Sequence, residues 1–433
     1  MRMAVLGLGY LGATHAACMA ELGHDVLGVE IQHDKRELLA AGKIPFFEPG
    51  LPELLKRHVG GGKLRVSDSY AEAADFADVF FIAVGTPQKA GENAADLQYV
   101  DAAIEELVPL LTRDAVIFGK STVPVGTAER ISARAVELAQ GVAVEVAWNP
   151  EFLREGHAIK DTLHPDRIVV GAFPGGRAEK VSRAIYAQLL AEDTPFILTS
   201  PPTAELVKAS ANAFLATKIS FINAIAEVCD AAGADVKALA DAIGHDDRIG
   251  RKFLNAGLGF GGGCLPKDIR AFVARAGELG VADALHFLRE VDIINMRRRN
   301  RMVELAREVC GGSLLGARLA ILGAAFKPDS DDVRDSPALD VAGRIQLQGA
   351  QVTVYDPKAM ENSRRLFPTL EYAESALEAC RDADAVLLLT EWAEFVRLDP
   401  AAARTVVRKP TIIDGRMCLD ESVWVSAGWT YRT

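Results

Sequence analysis

Paired cysteines are missing from this chain. The six present, at positions 18, 229, 264, 310, 380 and 418, are scattered without any C-x-x-C spacing. Neither a disulfide framework nor a zinc site follows from them and no metal is expected; isolated thiols suit a reducing, cytoplasmic setting. An excess of basic residues is missing too. With 48 Lys and Arg against 59 Asp and Glu the net charge is −11, so nothing draws the chain toward nucleic acid or an anionic membrane surface. Basic side chains that do cluster are expected to act as local phosphate clamps. No uninterrupted apolar run reaches the ~18 residues of a membrane span. The apolar start, Met1 to Met19, is broken by Gly7, Gly9, Gly12 and His15. It also lacks a small-residue cleavage pattern, so it reads as a first strand and helix rather than a signal peptide.

What is present is a soluble composition, 49% hydrophobic and 25% charged, in a chain of 433 residues. That is too long for one core, and one domain per roughly 150 residues predicts two or three. Met3 to Leu6 is β-type, and Gly7-Leu8-Gly9-Tyr10-Leu11-Gly12 follows before a helical stretch, Ala13 to Leu22. This is G-x-G-x-x-G between strand and helix, where glycines admit the backbone to a pyrophosphate seated on the helix N-terminus. The next strand, Val26 to Val29, ends in Glu30. A carboxylate there suits adenosine ribose hydroxyls and repels a 2′-phosphate, so NAD is favoured over NADP. Lys35 lies close enough along the chain to touch the same cofactor. Val79 to Val84, Ala115 to Gly119 and Val142 to Trp148 are further strands, alternating with helical stretches such as Tyr99 to Leu111 and Ala128 to Ala139. The alternation predicts a parallel, doubly wound α/β sheet. Ligands of such sheets bind beyond the carboxyl ends of the strands. The residues there are Val84-Gly85-Thr86-Pro87, Lys120-Ser121-Thr122-Val123-Pro124 and Asn149-Pro150-Glu151-Phe152-Leu153-Arg154-Glu155.

Thr203 to Ala232 is one long helical pattern without Pro or Gly, and it carries Lys208 and Asn212 four residues apart on one face, where both can donate to a developing oxyanion. Val236 to Ile243 leads through Asp247-Arg248-Ile249-Gly250 to Gly259-Phe260-Gly261-Gly262-Gly263-Cys264-Leu265-Pro266-Lys267-Asp268. This loop sets a lone thiol directly before a helix, with Pro266 suited to the first helical position. The orphan N–H groups, the helix dipole and Lys267 all favour thiolate, which points to Cys264 as a nucleophile. Ala284 to Val309 is helical and basic around Arg297, Arg298, Arg299 and Arg301, read as a solvated or subunit-facing surface. A second alternation follows, with strands at Leu319 to Gly323, Val352 to Tyr355, Ala385 to Leu389 and Thr411 to Ile413. In place of the glycine fingerprint it has Ala324-Ala325-Phe326-Lys327-Pro328, then Asp332, Arg334, Asp335 and Ser336. An aromatic beside a lysine at a strand end suits a base and a phosphate better than a pyrophosphate wedge.

These stretches, with Phe47-Glu48-Pro49-Gly50-Leu51, Lys208 with Asn212, and Asp414-Gly415-Arg416, resemble the UDP-glucose/GDP-mannose dehydrogenase family nearly end to end. Asp247 to Gly250 with Phe253-Leu254-Asn255-Ala256-Gly257 looks like its UDP-glucose branch. The resemblance implies two Rossmann-like doubly wound domains joined by a long central helix and a helical dimerisation domain. The divisions are 1–200 for NAD, 201–311 for the central part with the cysteine, and 312–433 for the nucleotide sugar. It implies NAD-dependent four-electron oxidation of UDP-glucose to UDP-glucuronate by a homodimer. A thiolate adds to the intermediate aldehyde, and the resulting thiohemiacetal can surrender the second hydride. On this resemblance Cys264 would be the nucleophile, Lys208 and Asn212 would stabilise the oxyanion, Glu151 would be the acid/base, and Thr122 and Asp268 would order the water. Cofactor contacts by resemblance are Gly7, Gly9, Tyr10, Leu11, Gly12, Glu30, Lys35, Gly85, Thr86, Pro87, Ser121, Thr122, Glu155, Lys267 and Arg334. Substrate contacts are Glu151, Phe152, Leu153, Glu155, Lys208, Asn212, Asn255, Gly257, Phe260, Gly261, Phe326, Lys327 and Arg416, with Arg248 reaching the sugar nucleotide of a neighbouring subunit. Leu11, Glu30, Gly263 and Leu265 depart from the family's commoner valine, aspartate, serine and phenylalanine, and the last two leave sugar preference open. GDP-mannose, a TDP-sugar and UDP-N-acetyl sugars remain alternatives, as do a two-electron β-hydroxyacid dehydrogenase and a silent nucleotide-sugar binding protein.

Overall fold

The computed structural model describes residues 1–433. They form two compact units, Met1–Ala211 with Arg270–Gly280 and Asn212–Ile269 with Val281–Thr433.

The first unit holds β1 (Arg2–Leu6), β2 (Asp25–Val29), β3 (Leu64–Ser67), β4 (Val79–Ile82), β5 (Ala115–Gly119), β6 (Val144–Trp148), β7 (Ile168–Gly171) and β8 (Phe196–Thr199). Their order across one sheet is β3-β2-β1-β4-β5-β6-β7-β8. Successive strand residues point to opposite faces, so Met3 and Val5 join one apolar core with Ala13, Ala16 and Ala17. Ala4 and Leu6 join another with Val100, Ile104 and Leu107. With both faces covered, a central strand such as β4 is buried throughout and reads as an unbroken apolar run. Leu6 pairs with Val29 on one side and Ile82 on the other. The winding therefore reverses at β1, and the Gly7 and Val84 loops leave the sheet where ligands of such folds bind. One pair departs from the expected parallel sheet: β6 and β7 run antiparallel through Trp148 and Gly171. Strands β3 and β8 escape a reading by apolar runs because each is only partly buried.

The second unit repeats the winding with β9 (Arg318–Leu322), β10 (Gln351–Tyr355), β11 (Glu371–Tyr372), β12 (Ala385–Leu388), β13 (Thr411–Asp414) and β14 (Thr430–Arg432), ordered β11-β10-β9-β12-β13-β14. The helix Pro201–Ala232 has 32 residues and so runs ~48 Å. Two prolines open it, where a missing N–H costs nothing, and Gly233 at φ +70° follows its end. Its residues Ile222, Ala226 and Cys229 pack on Val236, Ala240 and Leu254. No helix is long and apolar enough to cross a membrane.

One expectation fails in the helix His286–Val309. Arg298 and Arg299 are not solvated surface but 2% and 3% exposed. Both are drawn inward by acceptors on other segments of the chain: Arg298 Nε donates to Gly257 O at 2.9 Å, and Arg299 donates to Phe260 O at 3.3 Å and to the Asp335 carboxylate at 2.8 Å. Arg297 and Arg301, on the outer face, pair with Glu227 and Glu308.

Candidate active site

The glycine fingerprint behaves as the spacing predicts. A Cβ on Gly12 would stand 1.8 Å from Gly7 O and one on Gly7 would meet Val84 at 2.8 Å, whereas one on Gly9 would touch nothing within 4 Å. Two glycines thus allow the turn to close on itself. The middle one, which is the N-cap of Tyr10–Glu21 and offers no side-chain cap, leaves an open cradle over orphan N–H groups, the geometry a pyrophosphate needs. Glu30, buried at the end of β2, accepts from Leu8 N at 3.3 Å and Gln32 N at 2.9 Å. Its counterpart in the second unit is Asp356, at the end of β10. There Oδ2 accepts from Ala324 N, Ala325 N and Trp392 Nε1 and Oδ1 from Lys358 N and Ala359 N, which leaves the carboxylate no acceptor for a ribose. Lys35 is half-buried; the neighbouring Arg36, which sequence reasoning missed, is the one that bridges Glu30 O and Asp68. The Tyr10 hydroxyl donates to buried Glu48, which also accepts from Gly156 N at 2.6 Å and Ala158 N at 2.8 Å. Burial first, and then Glu48, push the Tyr10 phenol far above its ordinary range.

The loops after β4, β5 and β6 are tied to one another. Thr86 Oγ1 donates to Thr122 O at 2.8 Å, Ser121 Oγ to Val84 O at 2.6 Å, and Trp148 Nε1 to Ser121 O at 3.1 Å; Gly85 and Pro87 stay exposed. Glu151 pairs with Lys208 Nζ at 2.9 Å and accepts from Leu153 N at 2.7 Å. Lys208 is 5% exposed and lies 5.6 Å over the Phe152 ring. Glu155 is half-buried beside this pair in sequence.

In the second unit Cys264 is the exposed one of six cysteines. Burial pushes the thiols of Cys18 and Cys380 up to about 12 and raises that of Cys310. Leu265 opens the helix Leu265–Glu278, so Pro266 is its second residue rather than its first, and Cys264 O accepts the Asp268 N–H at 2.9 Å. The thiol therefore stands at the N-cap. Buried Asp268 accepts from Asn212 Nδ2 at 2.7 Å and pairs with Lys267 at 2.7 Å.

The reason for so many glycines before the cysteine is close packing. A Cβ on Gly262, whose φ is +87°, would meet the Phe326 ring at 2.8 Å. One on Gly261 would meet Asp335 O at 2.3 Å, and one on Gly263 the Arg334 guanidinium at 2.3 Å. Asn295 clamps the loop reciprocally, accepting from Phe260 N at 2.8 Å and donating to Phe260 O at 2.9 Å. Arg416 donates to Gly259 O, Leu389 O and Phe326 O, which joins the ends of β9, β12 and β13 to the cysteine loop. Lys327 Nζ lies 5.5 Å over the Phe326 ring. Arg334 pairs with Asp332. Gly257 N donates to Asn223 Oδ1, and the Asn255 amide accepts from Arg251. Arg248 is not drawn into this cluster: its side chain is 88% exposed and held by Asp246. Asn295, Arg298 and Arg299 carried no signal in the sequence, since their roles depend on backbone groups of a distant loop.

Family models match in three consecutive pieces. Residues 1–190 match the UDP-glucose/GDP-mannose dehydrogenase family NAD binding domain, 202–297 its central domain, and 320–421 its UDP binding domain. A UDP-glucose 6-dehydrogenase from Rhizobium meliloti is 41% identical over 100% of this chain and 99% of its own. The structure of a UDP-glucose dehydrogenase from Pyrobaculum islandicum superposes with a TM-score of 0.91 at 39% identity, covering 100% of this chain and 97% of that one. A UDP-D-ManNAc dehydrogenase from Pyrococcus horikoshii gives 0.86 at 28% identity, covering 100% and 98%. With the dinucleotide cradle in the first unit, the saturated Asp356 in the second and an exposed thiol at a helix N-cap, these likenesses leave one placement: the chain belongs to the UDP-glucose/GDP-mannose dehydrogenase family.

Proposed function

We propose that this protein is a UDP-glucose 6-dehydrogenase, oxidising C6 of UDP-glucose from alcohol to carboxylate with two NAD. The observation that carries the reading is Cys264, an exposed thiol at a helix N-cap with the Asn212–Asp268–Lys267 cluster directly behind it, in a chain 41% identical throughout to a UDP-glucose 6-dehydrogenase. NAD, when bound, would supply the hydride acceptor for C6 in each of two oxidations. Gly7 to Gly12, Glu30, the Gly85–Pro87 and Ser121–Thr122 loops, Glu155, Lys267 and Arg334 would hold it.

An alcohol loses its hydride and gives its proton to Glu151, leaving an aldehyde, which has no second hydride to offer. Addition of the Cys264 thiolate forms the C–S bond and an alkoxide stabilised by Lys208 and Asn212. Loss of hydride from this thiohemiacetal leaves a thioester. Once Glu151 has passed its first proton to solvent, it deprotonates a water ordered by Thr122 and Asp268, which adds to the thioester and breaks the C–S bond to release the uronic acid and the Cys264 thiolate. Phe326, Lys327 and Arg416 receive the base and phosphates, and Asn255 to Gly261 line the sugar. Residues 1–200, 201–311 and 312–433 serve as the NAD, central and nucleotide-sugar parts.

Phe214, Phe221 and Val228, spaced by seven on the long helix, are 66%, 49% and 61% exposed. This apolar stripe supports a homodimer to which Arg248 is contributed across subunits; light scattering of Phe221→Ser should show monomer. A cytoplasmic location accords with a catalytic thiol that must stay reduced.

The test is stoichiometric. Two NADH per UDP-glucose consumed supports the scheme, and one refutes it. Cys264→Ser should stall before free acid appears, and a panel of UDP-glucose, GDP-mannose, TDP-glucose and UDP-N-acetyl sugars ranks the substrates.

A further inference from the structure

A buried cation is tied to the segment that carries Glu151. Lys120 follows β5 directly, and its side chain turns inward until the residue is only 7% exposed. Its ammonium donates to Asn149 Oδ1 at 3.0 Å, and the same oxygen accepts from Tyr186 OH at 2.7 Å. Asn149, itself buried, spends its amide hydrogens on Val169 O at 2.8 Å and its backbone N–H on Gly119 O at 2.8 Å. The strand-end segment that carries Glu151 two residues on is thus pinned from three sides.

The charged and titratable groups facing Lys120 are few. From the helix Tyr10–Glu21 comes His15, buried edge-on against Phe81 at 4.5 Å with no partner for Nε2. Burial, and then the Lys120 charge, keep that imidazole neutral. Tyr186 is a phenol kept protonated by burial. Lys208 is a second cation, and Glu151 is the anion that acts on Lys120. Burial brings the Lys120 ammonium down to about 8, against the pull of Glu151. An apolar side chain would fill the space beside Phe81, 5.9 Å away, without the desolvation a buried ammonium suffers. What the lysine adds is a hydrogen bond to the Glu151 segment and a positive charge with a carboxylate to act on.

We propose that Lys120 is a positioning residue for Glu151: through Asn149 it fixes the segment from 149 to 151, and its positive charge adds to that of Lys208 in favouring an anion at Glu151. This rests on the acid/base reading of Glu151. Cation and carboxylate are both fixed by the fold, so the effect is present before substrate arrives.

The test compares full-length variants in steady-state turnover of UDP-glucose and NAD across pH. Lys120→Met should move the lower limb of log kcat upward by about one pH unit, which lowers kcat about tenfold at a pH on that limb and little on the plateau, with KM for UDP-glucose within about twofold. Asn149→Asp keeps the lysine but places a carboxylate against it, so the limb should move the same way. Should Lys120→Met fail to accumulate, this second variant reads the same quantity. Tyr186→Phe removes only an uncharged donor and should leave the limb in place. Unmoved limbs in Lys120→Met and Asn149→Asp overturn the proposal, because a lysine that merely filled space would change stability and not the limb. Glu151→Gln separates the two ideas: if the limb survives in it, the acid/base role of Glu151 fails; if the limb vanishes while the lysine variant shows no shift, only the role of Lys120 fails.

Discussion

Acidification should strengthen the first unit at one carboxyl, Glu205. It lies one turn before Lys208 on the long helix and is 2% exposed. Its two oxygens accept from Gly126 N at 2.7 Å and Ala128 N at 2.6 Å, capping the helix Thr127–Leu138, whose own N-cap is a glycine with no side chain to offer. Burial raises the Glu205 carboxyl from 4.5 to about 7, while the two backbone donors pull it down and lose. The folded state therefore binds this proton more tightly than the unfolded chain does. The stabilisation is complete below the unfolded value of 4.5 and is lost as pH rises to about 7. At ~1.4 kcal/mol per pH unit over that window the loss is about 3 kcal/mol. Other groups titrate in the same range, so the measurement is a difference. Urea unfolding of the wild type and of Glu205→Gln, which cannot ionise, should be followed at about pH 5 and pH 8 at constant salt. The glutamine variant lacks one acceptor at either pH, a constant offset, while the wild type alone should gain those 3 kcal/mol on acidification. Parallel stability curves for the two proteins would refute the argument and mean that the helix N-terminus, not burial, governs this group.

Asn295→Ala removes both halves of the Phe260 clamp and strands a buried N–H, so the second unit should lose about 2 to 4 kcal/mol. Fluorescence reads this well, because Trp392, Trp424 and Trp429 all lie in that unit; a loss under about 0.5 kcal/mol would contradict the clamp. Gly262→Ala combines a φ of +87° with a Cβ 2.8 Å from the Phe326 ring, and should raise KM for UDP-glucose about tenfold or more, equivalent to ~1.4 kcal/mol. Gly263→Ala should be milder, since the obstructing group is the mobile tip of Arg334, and equal effects in the two would argue against the ring contact.

Features that depend on short-range chemistry were readable directly from residue order. G-x-G-x-x-G after an apolar run specifies a tight turn into a helix, and Glu30 ends the next strand because parallel strands place their last residues at the ligand edge. The absence of Gly and Pro from 203 to 232 is enough for one long helix. A cysteine between glycines and a Pro-containing helix start marks a thiol at an N-cap. Partly buried β3 and β8 were not readable, for an edge strand has no continuous apolar run to announce it.

Long-range pairing was beyond any pattern in the chain. Arg298 and Arg299 look like solvent-facing charge until the carbonyls of Gly257 and Phe260 are seen beside them, and Asn295 has no local mark at all. Lys120, Asn149 and Tyr186 are spread over 67 residues of chain and become one cluster only through hydrogen bonds between strand ends. Residue order alone determined the windings, the turns and the lone cysteine, because those arise from backbone geometry within a few residues. Tertiary structure alone decided which buried polar groups meet, because burying a charge or a carbonyl forces a partner that can come from anywhere in the sequence.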